Sequence, residues 1–121
     1  RVSNDEQARL YQDAIAFIHP QEEDFGITPL EAMACGRPVI AYRRGGVLES
    51  VVEDETGIFF DEQTWEHLAS VVRTFDASRF DPTIIRAHAL QFSTDVFKDT
   101  FLAFVNKTRE AYQEHQTHLC A

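Results

Sequence analysis

Cysteine is scarce in this chain. Its 121 residues hold two, Cys35 and Cys120, far apart and in neither a CxxC pair nor a Cys/His ligand spacing. That excludes a disulfide scaffold and a zinc site of the familiar spacings, and makes a reducing, cytoplasmic setting the expectation. Cys35, near a predicted helix end, reads as a small buried apolar residue rather than a nucleophile. His67, His88, His115 and His118 show no ligand spacing among themselves. No apolar run approaches the roughly 20 residues of a membrane-spanning helix. The first residues, Arg1-Val2-Ser3-Asn4-Asp5-Glu6, are polar and include neither an initiator Met nor a secretory signal, so the chain reads as a fragment or a processed product. Basic residues are few: 11 Lys and Arg stand against 20 Asp and Glu, for a net charge of −9. This disfavours nucleic-acid or anionic-membrane binding. It leaves room for a phosphate ligand, because helix N-termini and backbone amides bind anions locally. There is no internal repeat, low-complexity stretch or linker.

What is present suits one domain with a real core: 44% apolar residues, including ten Phe. Ser3 or Asn4 can cap a helix through about residue 13, with Ala8, Leu10, Tyr11 and Ala14 as its apolar side. Ile15 to Ile18 is a short branched apolar run, expected to be a buried strand ended by Pro20. After a polar loop, Thr28 is expected to cap a second helix with Pro29 at its first position. Glu31 would complete a capping box, and Gly36 would stop the helix. Residues 38–42 and 57–60 read as two further buried strands, with a loop at 43–46 and a short helix at 47–52 between them. An amphipathic helix is expected over 62–75, with Trp65, Leu68, Ala69, Val72 and Phe75 on one face. Asp81-Pro82 begins another helix through about residue 91. A Phe-rich helix, expected to pack in the core but able to expose part of that face in an isolated fragment, runs from 93 or 94 to about 115, and 116–121 are expected to be a frayed tail. Helices alternate with uniformly apolar strands, so the fold class is α/β: a three-layer, Rossmann-like parallel sheet covered on both faces. Three strands are fewer than the usual five or six, and further strands are expected upstream of Arg1.

In an open parallel sheet, ligands bind beyond the carboxyl ends of the strands. The loops after the first two strands, residues 19–28 and 43–47, lie there and should face one cleft. The first carries two carboxylates, Glu23 and Glu31, with seven residues between them. Gly26 permits close approach of the backbone, and the N–H groups of Ile27 and Thr28 open the next helix toward the cleft. By local pattern alone Glu31 reads either as a capping-box residue or as an acceptor for a diol, and Glu23 as a solvated loop acid. Arg43 and Arg44 read either as phosphate contacts or as exposed loop residues, and His19 as a structural residue at the edge of the cleft.

The run Glu23-Asp24-Phe25-Gly26-Ile27-Thr28-Pro29-Leu30-Glu31-Ala32-Met33-Ala34-Cys35-Gly36-Arg37-Pro38-Val39-Ile40-Ala41 resembles the Glu-x7-Glu motif of the retaining glycosyltransferases of family 4 (glycosyl transferases group 1), which have the GT-B fold. Residues 3–20 resemble the helix and strand that precede the motif, and residues 44–60 resemble the Gly-Gly loop, Glu-containing helix and Gly-Ile-Phe-Phe strand that follow it. Residues 39–49, of the form Val-Ile-Ala-Tyr-x-x-Gly-Gly-x-x-Glu, resemble the mannosyltransferase branch. Gln21 and Tyr42 depart from the Ser, or Ser and Asp, common at their positions.

The resemblance implies that residues 1–121 are a partial nucleotide-sugar-binding domain, the C-terminal part of the donor-binding domain of a GT-B enzyme. The intact protein would move a hexose, with mannose the favoured one, from a nucleotide diphosphate sugar to a glycan or lipid-linked acceptor with retention, using no metal or other cofactor. It would work in the cytoplasm, peripheral to the inner face of the membrane. GDP-mannose is favoured over UDP-sugars as donor. Glu31 would bind the ribose hydroxyls, and Glu23 would lie at the sugar as the catalytic carboxylate. The N–H groups of Phe25, Gly26 and Ile27 would meet the sugar, and those of Ile27 and Thr28 the diphosphate. The Arg…Lys pair that the family places on the diphosphate does not precede the motif here, nor does the acceptor domain, so the isolated chain is expected to be inactive. Three other readings stay open: an epimerase or phosphorylase relative, a non-catalytic nucleotide-sugar-binding remnant or split partner, and a fragment with no ligand at all.

Overall fold

The computed structural model describes residues 2–119, and side chains through residue 113. Cys120 and the last two positions of the expected tail lie outside the described residues. The chain divides into two units, residues 1–90 and 91–121.

In the first unit, α1 (Asn4–Asp13) is capped by Ser3, whose hydroxyl accepts from the Glu6 N–H at 3.2 Å. Then follow β1 (Phe17–His19), α2 (Ile27–Ala34), β2 (Val39–Tyr42), α3 (Val47–Ser50), β3 (Gly57–Phe60), α4 (Trp65–Thr74) and α5 (Pro82–Ala89), with short 3₁₀ turns at Ala77–Arg79 and Leu90–Phe92. Thr64 caps α4, and Asp81 caps α5 with Pro82 in the first turn, where its missing N–H costs no helical bond.

The strands form a parallel sheet in the order β1-β2-β3. Phe17, Ile18 and His19 pair with Val39, Ile40 and Ala41, which pair in turn with Gly57, Ile58 and Phe59. All four residues of β2 are buried, because successive side chains feed opposite faces. Val39 and Ala41 enter one core with Leu30 and Met33 of α2 and Ile85 and Ala89 of α5. Ile40 and Tyr42 enter a second core with Phe60, against Leu68 and Val71 of α4. The expected three-layer α/β arrangement is what the chain adopts.

Several local expectations change. The first strand sits two residues later than its apolar run, since pairing with Val39–Ala41 fixes the ladder, and Ile15 is left exposed. On α1 the inward residues are Gln7, Ala8, Tyr11 and Ala14, while Leu10 is 60% exposed. Trp65 opens α4 and is 77% exposed, so the core-facing stripe of that helix starts at Leu68.

The second unit contains α6 (Thr94–Leu119), so residues 116–119 continue the helix rather than fray. Its Phe97 and Phe101 rings stack at 5.7 Å, and both are exposed together with Phe104, contrary to the expected core packing.

Candidate functional site

The site is built on α2 and on the two loops at the carboxyl ends of β1 and β2. Helix α2 begins at Ile27, earlier than the Thr28 cap predicted, with Gly26 as its N-cap and no side-chain capping bond. Glu31 is then the fifth helical residue, outside the spacing of a capping box. Its carboxylate instead accepts from Gln7 Nε2 at 2.9 Å and from Tyr11 Oη at 3.1 Å, both on Oε2. The helix ends as predicted. Gly36, at φ +75°, donates to the Met33 carbonyl at 2.8 Å and Arg37 to that of Ala32 at 3.0 Å, a Schellman closure.

An α-helix leaves the N–H groups of its N-cap and first three residues without helical acceptors. In α2 these belong to Gly26, Ile27, Thr28 and Pro29, and Pro29 has no N–H. The three amides left are Gly26, Ile27 and Thr28, and the helix dipole adds partial positive charge at the same end. The chain therefore presents a small donor set suited to an anion.

The loop before it is held by the second loop. Gly46 N–H donates to the Glu23 carbonyl at 2.7 Å. A side chain on Gly45 would run into the Glu23 carbonyl oxygen, and one on Gly46 into the backbone of Asp24 and Phe25. The pair of glycines thus lets the two loops dock backbone against backbone. Gln63 Nε2 reaches the Pro20 carbonyl at 2.8 Å and ties in the loop after β3. The Glu23 carboxylate, half-buried, accepts from Gln21 Nε2 at 2.9 Å. Gln21, which departs from the family pattern, is thus the residue that holds it. Phe25 and Ile27 are exposed.

Arg43 is committed elsewhere. Its guanidinium donates to both oxygens of Glu53 at 2.9 and 2.5 Å and to Asp61 at 2.6 Å, and it lies over the Phe59 ring. The Glu53 hydrogen bonds hold the arginine above its ordinary pKa, and the same bonds hold the Glu53 carboxyl below its own. Such a cation is spent within the protein and is not a free phosphate contact. Arg44 is exposed.

Sequence reasoning missed Gln7 and Tyr11. They stand four apart on one face of α1, and Gln7 Nε2 also donates to Tyr11 Oη at 3.2 Å. The Tyr11 ring meets Phe17 edge-on at 5.6 Å. Burial, before any effect of Glu31, raises the Tyr11 pKa, so the phenol stays a proton donor. A cavity of about 320 Å³ borders this group, lined by Asn4, Gln7, Tyr11, Glu31 and Cys35 among others.

Residues 1–83 match the family described as glycosyl transferases group 1. The chain belongs to that family. Relatives and solved structures agree with the GT-B fold. Over 98% of its length the chain is 30% identical to a D-inositol 3-phosphate glycosyltransferase of Pseudarthrobacter chlorophenolicus, covering 29% of that protein. It is 50% identical to the alpha-1,3/1,6-mannosyltransferase ALG2 of Dictyostelium discoideum over 56 residues, 45% of this chain and 13% of that one. Among solved structures it resembles Anabaena HepE in complex with UDP and glucose, at 27% identity and a TM-score of 0.66, over 82% of this chain and 28% of that one. The chain thus spans less than a third of the length of these glycosyl transferases.

Proposed function

We propose that this chain forms part of the donor site of a glycosyltransferase that moves a hexose from a nucleotide diphosphate sugar to a glycan or lipid-linked acceptor with retention. The observation that carries the reading is the start of α2, where three amides without helical partners precede a carboxylate on the next turn of the same helix. As the glycosidic bond to the donor breaks, negative charge grows on the leaving diphosphate. Fixed N–H donors of Ile27 and Thr28 stabilise that charge at no cost of reorganisation. The amides of Phe25, Gly26 and Ile27 hold the sugar. Glu23 lies at its anomeric side, where a carboxylate favours the oxocarbenium-like carbon. Glu31 takes the ribose diol, and the cavity beside it, between α1 and α2, receives the base. No metal or other cofactor is required by this scheme.

Two donors have support. The similarity to ALG2 and the Val39–Glu49 pattern favour GDP-mannose, and the similarity to HepE, solved with UDP-glucose, favours a UDP-sugar. Assays of the protein that carries this chain, with each donor in turn, decide between them, and the anomeric configuration of the product by NMR tests retention. Glu31→Ala should raise the donor KM on the order of tenfold, the scale of a hydrogen bond to a charged group. Glu23→Ala should mainly lower kcat, by roughly 10²-fold. Wild-type kinetics in both variants would overturn the site assignment.

A further inference from the structure

We propose that Tyr11, with Gln7, is a positioning residue for the ribose: the two donors fix the Glu31 carboxylate so that its free lone pairs meet the diol. The inference rests on Glu31 as the ribose acceptor and goes one step beyond it.

The geometry is specific. Gln7 Nε2 donates to Glu31 Oε2 at 2.9 Å and to Tyr11 Oη at 3.2 Å, and Tyr11 Oη donates to Oε2 at 3.1 Å. These contacts close a three-membered ring of side chains between α1 and α2. Both donors use one carboxylate oxygen, which leaves the lone pairs of Oε1 to a ligand. A glutamate on a helix surface otherwise samples several rotamers, and freezing them on binding costs affinity. Here the cost is met before the ligand arrives. The tyrosine is itself anchored, edge-on to Phe17 of the sheet and half-buried, so the carboxylate is referenced to the sheet and not only to its own helix. The ring borders the cavity assigned above to the base, so the same pair sets where the ribose sits relative to the base.

The test is the ratio of affinities for a nucleoside diphosphate and its 2′-deoxy form, with UDP and GDP pairs titrated calorimetrically into the protein that carries this chain. Wild type should prefer the ribose form. Glu31→Ala should abolish the preference. Tyr11→Phe, which keeps the ring against Phe17, should reduce it several-fold, and Gln7→Leu should do the same. A change in base binding or in stability falls on both members of each pair and cancels from the ratio, and Tyr11→Phe should add nothing to the lost preference in the Glu31→Ala background. A full preference in Tyr11→Phe and Gln7→Leu, with none in Glu31→Ala, would overturn the positioning role and leave Glu31 as the ribose acceptor. An unchanged preference in Glu31→Ala would overturn both.

Discussion

His19 ends β1 with 1% of its surface exposed and, among the described residues, no hydrogen-bond partner for either ring nitrogen. Burial lowers its pKa below the ordinary 6.5, more than the nearby Glu23 raises it. The folded state therefore resists protonation. As pH falls below about 6.5 the unfolded chain takes up the proton first, and stability declines until the folded pKa is reached. His19→Leu should flatten this decline in urea unfolding curves measured between pH 7 and 5. An equal pH slope in the variant would assign the acid sensitivity to other groups. For Arg43, bound to Glu53 and Asp61, Arg43→Gln should leave nucleotide affinity unchanged and alter stability by only ~0–1 kcal/mol, since the pair is half open to solvent. A weakened affinity would return Arg43 to the phosphate. Glu23 and Glu31 stand out in the sequence because their motif is contiguous. The Gln7 and Tyr11 contacts do not, because they join Glu31 across 24 and 20 residues and no local pattern encodes them.

At the scale of elements, α2 illustrates what local signals decide. Its C-terminal stop at Gly36 was legible because the Schellman closure depends on residues within one turn. Its start was not. Thr28 and Glu31 satisfy the capping-box pattern, yet Gly26 opens the helix earlier and α1 claims the Glu31 carboxylate. Likewise the order and type of the strands followed from apolar runs between turn residues, while the position of β1 waited on its pairing with β2. The docked loops offer a direct check. In Gly46→Ala the new methyl meets backbone of Asp24 and Phe25 rather than a side chain that can swing away. The expected loss is about 1–3 kcal/mol of stability, the usual cost of overpacking. It should come with shifted amide resonances through residues 23–28. Undisturbed resonances there would contradict the docking of the two loops.

At the scale of the whole molecule, the sheet places both loops at the carboxyl ends of adjacent parallel strands, where this class of fold receives its ligands. The fold class was readable from the alternation of elements. The exposed aromatic face of α6 was not, since its spacing is the same whether the helix is buried or open. The account's central claim is that the start of α2 receives a nucleoside diphosphate. The most direct measurement is an amide chemical-shift titration of the 121-residue chain with UDP and GDP, carried to millimolar ligand. The account predicts saturable shifts at Gly26, Ile27 and Thr28, extending to Glu31 and Tyr11. No saturable shift, or shifts confined to other parts of the chain, would contradict it.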